Sequence, residues 1–128
     1  MQQQDYNRQN SPKKKINRLR QAEDRLETKI EQIYSECVGH SLKEVHCAFL
    51  ITSDLYIHMD GVVSPSEVFL TQQGSRDLAI QMRHAINQIV QGKINEALEQ
   101  DLSVKADKAR FLKPERKEQL NVLVRLYL

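Results

Sequence analysis

The sequence predicts a two-layer α+β domain with the element order α-β-β-α-α-β-β, and three observations carry that prediction. Two long stretches repeat apolar residues at steps of three and four. Two pairs of β-rich runs are each separated by turn-prone residues, and Ser-Pro and Gly fall at the boundaries between these segments. The simplest assembly is a mainly antiparallel sheet of about four strands with the helices on one face. A chain of 128 residues with 40% hydrophobic content is long enough to bury one core without metal or disulfide staples, so one domain is expected.

Residues 1–10 are rich in Gln and Asn with almost nothing to bury and read as a disordered tail, leaving residues 11–128 as the domain. Ser11 suits a helix N-cap, Pro12 its first turn, and Gly39 the left-handed position beyond its end. Inside this helix Ile16, Leu19, Leu26, Ile30, Ile33 and Cys37 form an apolar stripe, with Glu23 standing where Leu or Ile would complete it. The spacing also fits a short coiled coil. Packing on the chain's own sheet is the expectation, because coiled coils need a longer uninterrupted seam.

Val45 to Thr52 and Leu55 to Asp60 flank the turn-prone Thr52-Ser53-Asp54 and predict a hairpin. A two-residue loop mixes Cys47 and Phe49 with His58 and Asp60. A three-residue loop, Thr52 to Asp54, instead gathers Val45, Cys47, Phe49 and Ile51 with Leu55, Ile57 and Met59, with Asp54 supplying the left-handed conformation. A continuous apolar face favours the three-residue register, since a slip of one residue turns over every side chain. His46 then lies opposite Asp60 with His58 diagonal to both, and Cys47 points into the core.

After Gly61, Ser64 as N-cap, Pro65 at the first helical position and Glu67 reaching back form a capping box, with Val63 and Val68 as its hydrophobic staple and Gly74 ending the short helix. Ser75 starts the next. From Arg76 to about Glu99 the residues Leu78, Ala79, Met82, Ile86, Ile89, Val90, Ile94, Ala97 and Leu98 make one stripe, the main core helix. Leu102 to about Leu112 and Leu120 to Leu128 read as a second hairpin around a charged, Pro-containing loop. Leu123 and Tyr127 fall on the face opposite the final strand's core row, so a homodimer contact there is expected.

Charge is unevenly spread. Residues 1–20 hold six Lys or Arg against one acid, Asp5, which leaves 13 basic against 16 acidic residues in the rest. Lys13, Lys14, Lys15, Arg18 and Arg20 are the candidate contact for an anionic surface. Two cysteines, Cys37 and Cys47, in apolar-patterned segments suggest reduced thiols in a cytosolic setting. Neither the apolar run of a signal peptide, about 7–15 residues, nor the run of about 18 needed for a membrane span occurs, so a soluble protein is expected.

The cluster His46, His58 and Asp60, and the Cys37-x-x-His40 pair, contain metal-binding residue types but lack the repeated spacing of a zinc motif. A wet His–Asp pair titrating near neutrality is the plainer reading, with no metal and no cofactor. No positioned nucleophile or Gly-rich turn accompanies these residues, so an enzyme is not expected.

Ser64, Pro65 and Glu67 with Leu70, then Gly74, then Arg83 within the long helix, following a hairpin and preceding a terminal strand, resemble the MpsC-like family over roughly residues 20–128. That family is named after the C component of a sodium-translocating, membrane-potential-generating system. The chain departs from the family's usual pattern at Gly39-His40, where Gly-Pro is usual, and at Gln100-Asp101, where a Gly precedes the third strand. The resemblance implies a non-enzymatic cytosolic accessory protein that meets a protein partner at a membrane sodium or inorganic-carbon transport system, peripheral to the inner face. The alternative is a small RNA-binding or ribosome-associated module using the basic segment. With three Phe, four Tyr and no Trp, it has little material for base stacking.

Overall fold

The computed structural model of the protein describes residues 12–127, with side chains from residue 17 onward. The proposed tail, Ser11, the side chains of Lys13, Lys14, Lys15 and Ile16, and Leu128 lie outside the described residues. Helix α1 (Pro12–Val38) leads into strands β1 (Glu44–Phe49) and β2 (Asp54–Asp60), then helices α2 (Pro65–Gln72) and α3 (Arg76–Leu102). Strands β3 (Lys105–Ala106), β4 (Arg110–Leu112) and β5 (Gln119–Tyr127) complete an antiparallel sheet of five strands. The order is β1-β2-β5, with β3 and β4 both pairing along the far side of β5.

The core lies between one sheet face and the helices. Leu26, Ile30, Ile33 and Tyr34 of α1 and Val90, Ile94, Ala97 and Leu98 of α3 bury against Val45, Cys47, Leu55, Ile57, Met59 and the β5 row Leu120, Val122, Val124 and Leu126. The α1 stripe is shorter than its periodicity predicts, because Leu19 and Cys37 are exposed. In α3 the same holds for Leu78 and Ile89. Helix α1 packs on β1 and α3, so its seam is filled within the chain.

Glu23 explains its own place in the stripe. Its Oε2 accepts a hydrogen bond from the backbone N–H of Phe49 at 2.9 Å, and Glu27 Oε2 accepts one from that of Cys47 at 2.8 Å. β1 is an edge strand whose outward N–H groups would otherwise lack partners. Two carboxylates on α1 supply them.

The β1–β2 register corrects the expected loop. His46 pairs with His58, and Glu44 with Asp60, around a four-residue connection, Leu50 to Ser53. The shift from the expected pairing is two residues, so each side chain keeps its face but His46 no longer opposes Asp60. Ser53, not Asp54, takes the left-handed conformation (φ 67), and Ile51 stands fully exposed at the tip. Asp54 belongs to the strand: its Oδ1 accepts from Arg125 Nε at 2.7 Å and its Oδ2 from Thr52 at 2.8 Å. Its own carbonyl accepts from Leu50 N at 2.8 Å.

The expected strand from Leu102 to Leu112 is also corrected. Leu102 closes α3, Ser103 turns the chain in the left-handed region (φ 53), and two short strands replace one. Asp107 marks the break, with its N–H on Arg125 O at 2.8 Å and its carboxylate accepting from Lys108 N and Tyr127 Oη.

Gly39 and Gly74 end α1 and α2 with positive φ, as their positions suggested. Gly61 is held more tightly: at φ +83 a Cβ would lie 2.9 Å from Lys43 N, so only glycine fits where the β2–α2 connection passes the start of β1.

Candidate functional site

The densest polar arrangement among the described residues sits where α1, the β2–α2 connection, α2 and α3 meet. Ser64 caps α2: its Oγ accepts from Glu67 N at 3.3 Å, while Glu67 Oε2 accepts from Ser64 N at 2.7 Å and Ser64 Oγ at 2.8 Å. Such reciprocal capping satisfies donors that a helix start leaves open. Val63 lies at the core edge, but its expected staple partner Val68 is largely exposed.

Glu67 does more than cap. Arg83, one helix away, donates Nε to Glu67 Oε1 at 2.7 Å and Nη2 to Oε2, a two-point grip. The same guanidinium donates Nη2 to the Val62 carbonyl and Nη1 to Asn87 Oδ1 at 3.1 Å. Tyr34 of α1 donates its hydroxyl to that Val62 carbonyl as well. The Glu67 and Arg83 side chains are only 6% and 19% exposed.

Burial pushes the Glu67 carboxyl up, but hydrogen bonds from Arg83 and Ser64 outweigh it and hold the group below its ordinary range. Burial likewise works against the charge on Arg83, and Glu67 and Tyr34 together more than restore it. Burial dominates at Tyr34, whose phenol is raised despite Arg83. The arrangement therefore works as a charged brace that locks four segments together. It opens on one side to a groove of about 760 Å³, whose walls include Val68 and Ile80 and whose rim carries Arg76, His84 and Lys117.

Ser64, Pro65, Glu67 and Arg83 are thus brought together, Leu70 sits half-buried on the same helix and Gly74 ends it. The pairing of Glu67 with Arg83 and the part of Tyr34 were missed in the sequence. A glutamate and an arginine 16 positions apart on two helices carry no periodic signal.

His46 and His58 share the sheet face opposite the core, which no helix covers among the described residues, with their rings stacked at 6.2 Å between centroids. His46 Nε2 lies 3.2 Å from Glu44 Oε1. His58 Nδ1 donates to Asn121 Oδ1 at 2.6 Å, because an amide oxygen only accepts. Asp60 faces Glu44 and turns its Oδ1 to the N–H of Gly61 at 2.8 Å, so it stands apart from the imidazoles. Among the described residues no three His, Cys, Asp or Glu side chains converge as a metal site.

Cys37 and His40 line one recess of about 310 Å³. His40 packs edge-on against Tyr34 and donates Nε2 to the Gly61 carbonyl at 2.9 Å. Cys47 is buried, and burial, with Glu27 and Glu23 nearby, pushes its thiol up to about 12. Arg18 and Arg20 are exposed on α1, while the other three candidate basic side chains lie outside the described residues.

The brace, the histidine pair and both exposed arginines fall inside the span recognised by a family model described as "Na+-translocating membrane potential-generating system (MpsC)", which matches residues 18–110, more than half the chain. The chain belongs to the MpsC family. The matched span of this MpsC protein runs from α1 into β4 and leaves β5 outside. No curated protein and no solved structure matches the chain. Among the described residues of the MpsC chain, no helix is long and apolar enough to cross a membrane.

Proposed function

We propose that this protein acts by binding, as a non-enzymatic accessory or regulatory component of the sodium-translocating, membrane-potential-generating system for which its family is named. Family membership over residues 18–110 is the observation that carries the reading. The polar residues that converge most closely, Glu67 and Arg83, spend their hydrogen bonds on each other, on Ser64 and Asn87 and on the Val62 carbonyl, which suits a scaffold that presents surfaces. In this reading the chain works at the cytosolic side, peripheral to the inner face, and meets the membrane system through a protein partner or through Lys13, Lys14, Lys15, Arg18 and Arg20. Each such charge adds on the order of 1 kcal/mol at an anionic surface, less as salt rises.

The test is affinity purification from native lysate with and without nuclease and mild detergent, beside a deletion strain grown across sodium and inorganic-carbon concentrations. Recovery of membrane transport subunits with a sodium- or carbon-dependent growth defect is the expected result. Nuclease-sensitive RNA in their place, with no such defect, replaces this reading with the nucleic-acid one.

A further inference from the structure

The two edges of the sheet are built differently. At β1 the outward N–H groups of Cys47 and Phe49 are taken by Glu27 and Glu23. At the other edge, among the described residues, β4 contacts no element but β5 and no hydrogen bond reaches its outward side. A short strand with an unfilled flank is a template for another strand.

The chemistry around β4 points to a partner. Residues 105–117 hold six basic side chains, Lys105, Lys108, Arg110, Lys113, Arg116 and Lys117, against two acids, Asp107 and Glu115. Asp107 is already engaged by Lys108 N and Tyr127 Oη. Within this basic run Phe111 and Leu112 are 46% and 38% exposed. Phe111 pairs with the core-facing Val122 and Leu112 with Asn121, so the two apolar side chains flank the edge from opposite sides of the sheet.

We propose that β4 receives an extended acidic segment of a partner protein as an additional strand, held by main-chain hydrogen bonds, by apolar contact with Phe111 and Leu112, and by carboxylates set against Lys108, Arg110 and Lys113. A second copy of this chain fits less well, because like basic rows would oppose each other. A bilayer leaves the strand's open backbone groups without partners in hydrocarbon. RNA finds a single phenyl ring at an edge instead of a stacking platform on a sheet face. The inference deepens the proposed binding role by naming the chemistry of the partner segment.

The experiment uses the full chain and a short fluorescein-labelled peptide repeating Val-Ile-Glu-Glu, which sets apolar side chains and carboxylates on both faces of the added strand. Binding that weakens with salt is expected, with the Lys-for-Glu peptide at least about tenfold weaker. Methylating alternate backbone nitrogens of the acidic peptide abolishes binding, and the amides of Arg110–Leu112 exchange more slowly in the complex. The exposed double variant Arg110→Glu/Lys113→Glu, its fold checked by circular dichroism, reverses the preference toward the Lys peptide.

Equal binding of both peptides, binding indifferent to N-methylation, or no binding overturns the inference. So does capture by phosphatidylglycerol vesicles or polyuridylate that depends on Arg110 and Lys113 while the peptide fails. Should the peptide fail while transport subunits still co-purify with the chain, strand addition alone is lost and the accessory function stands.

Discussion

Arg83 Nε lies 2.7 Å from Glu67 Oε1 while Nη2 reaches Oε2, so one guanidinium holds a carboxylate that also caps the helix on which it sits. Removing one partner of such a buried pair strands the other charge, at a cost of about 3 kcal/mol or more. Arg83→Met should therefore lower the urea midpoint strongly. Adding Glu67→Gln to that variant should recover part of the loss, because the stranded charge is gone. Equal midpoints for wild type and Arg83→Met would show that the brace contributes nothing.

The same pair sets a pH dependence of definite sign. Burial raises the Glu67 carboxyl, but Arg83 and Ser64 depress it further than burial raises it, so its folded value lies below its unfolded one. Its contribution is fully present above the unfolded value of about 4.3 and is lost as pH falls through the folded value. The stability gap between wild type and Glu67→Gln should narrow as pH falls below about 4. Denaturation series at several pH values measure it, and a gap that widens on acidification contradicts the assignment.

Ser64→Ala removes the side-chain cap of α2 while leaving the fold intact. The expected loss is about 1 kcal/mol. A denaturation midpoint unchanged within error would mean that Glu67 alone, through the Ser64 N–H, secures this helix start.

The two thiols should separate by rate. Cys37 is exposed, whereas Cys47 is buried in the core with its thiol pushed up to about 12. A thiol reagent near neutral pH should label one site quickly and the other only on unfolding, since the thiolate is the reactive form. Peptide mapping identifies the sites, and rapid labelling of Cys47 would contradict the β1 register.

Self-association should involve the uncovered sheet face, where Leu123 is half-buried and Tyr127 is 54% exposed. Light scattering is expected to give a dimer mass, and Leu123→Lys to lower it to that of a monomer. A monomer at all accessible concentrations removes this surface as a dimer contact.

Periodicity made the layers and the faces legible. Val45, Cys47, Leu55, Ile57 and Met59 all face the core as alternation demands, and a register shift of two residues could not change that. The turn length was hidden because Asp54 is drawn into the strand by Arg125, 71 positions away. Asp107 broke the third strand through contacts with Arg125 and Tyr127, the latter 20 positions on and beyond the reach of any local pattern. Glu23 did signal itself as a polar residue in an apolar stripe, yet nothing local tells that its target is the backbone of Phe49. At the candidate site the capping box was readable because its grammar spans four residues. Its connection to Arg83 and Tyr34 depends on how three helices meet.

The carboxylates that α1 lays along β1 also limit stoichiometry. A sheet with two open edges can add neighbours at both ends and grow into a filament, whereas one whose first edge is filled from within can add at only one. Pairing at β4, as proposed, would therefore end after a single added strand whenever the incoming strand brings no second free edge of its own. If β4 takes up a strand as proposed, Glu23 and Glu27, by occupying the N–H groups of Cys47 and Phe49 at the opposite edge, would keep that recruitment to one occupant per chain.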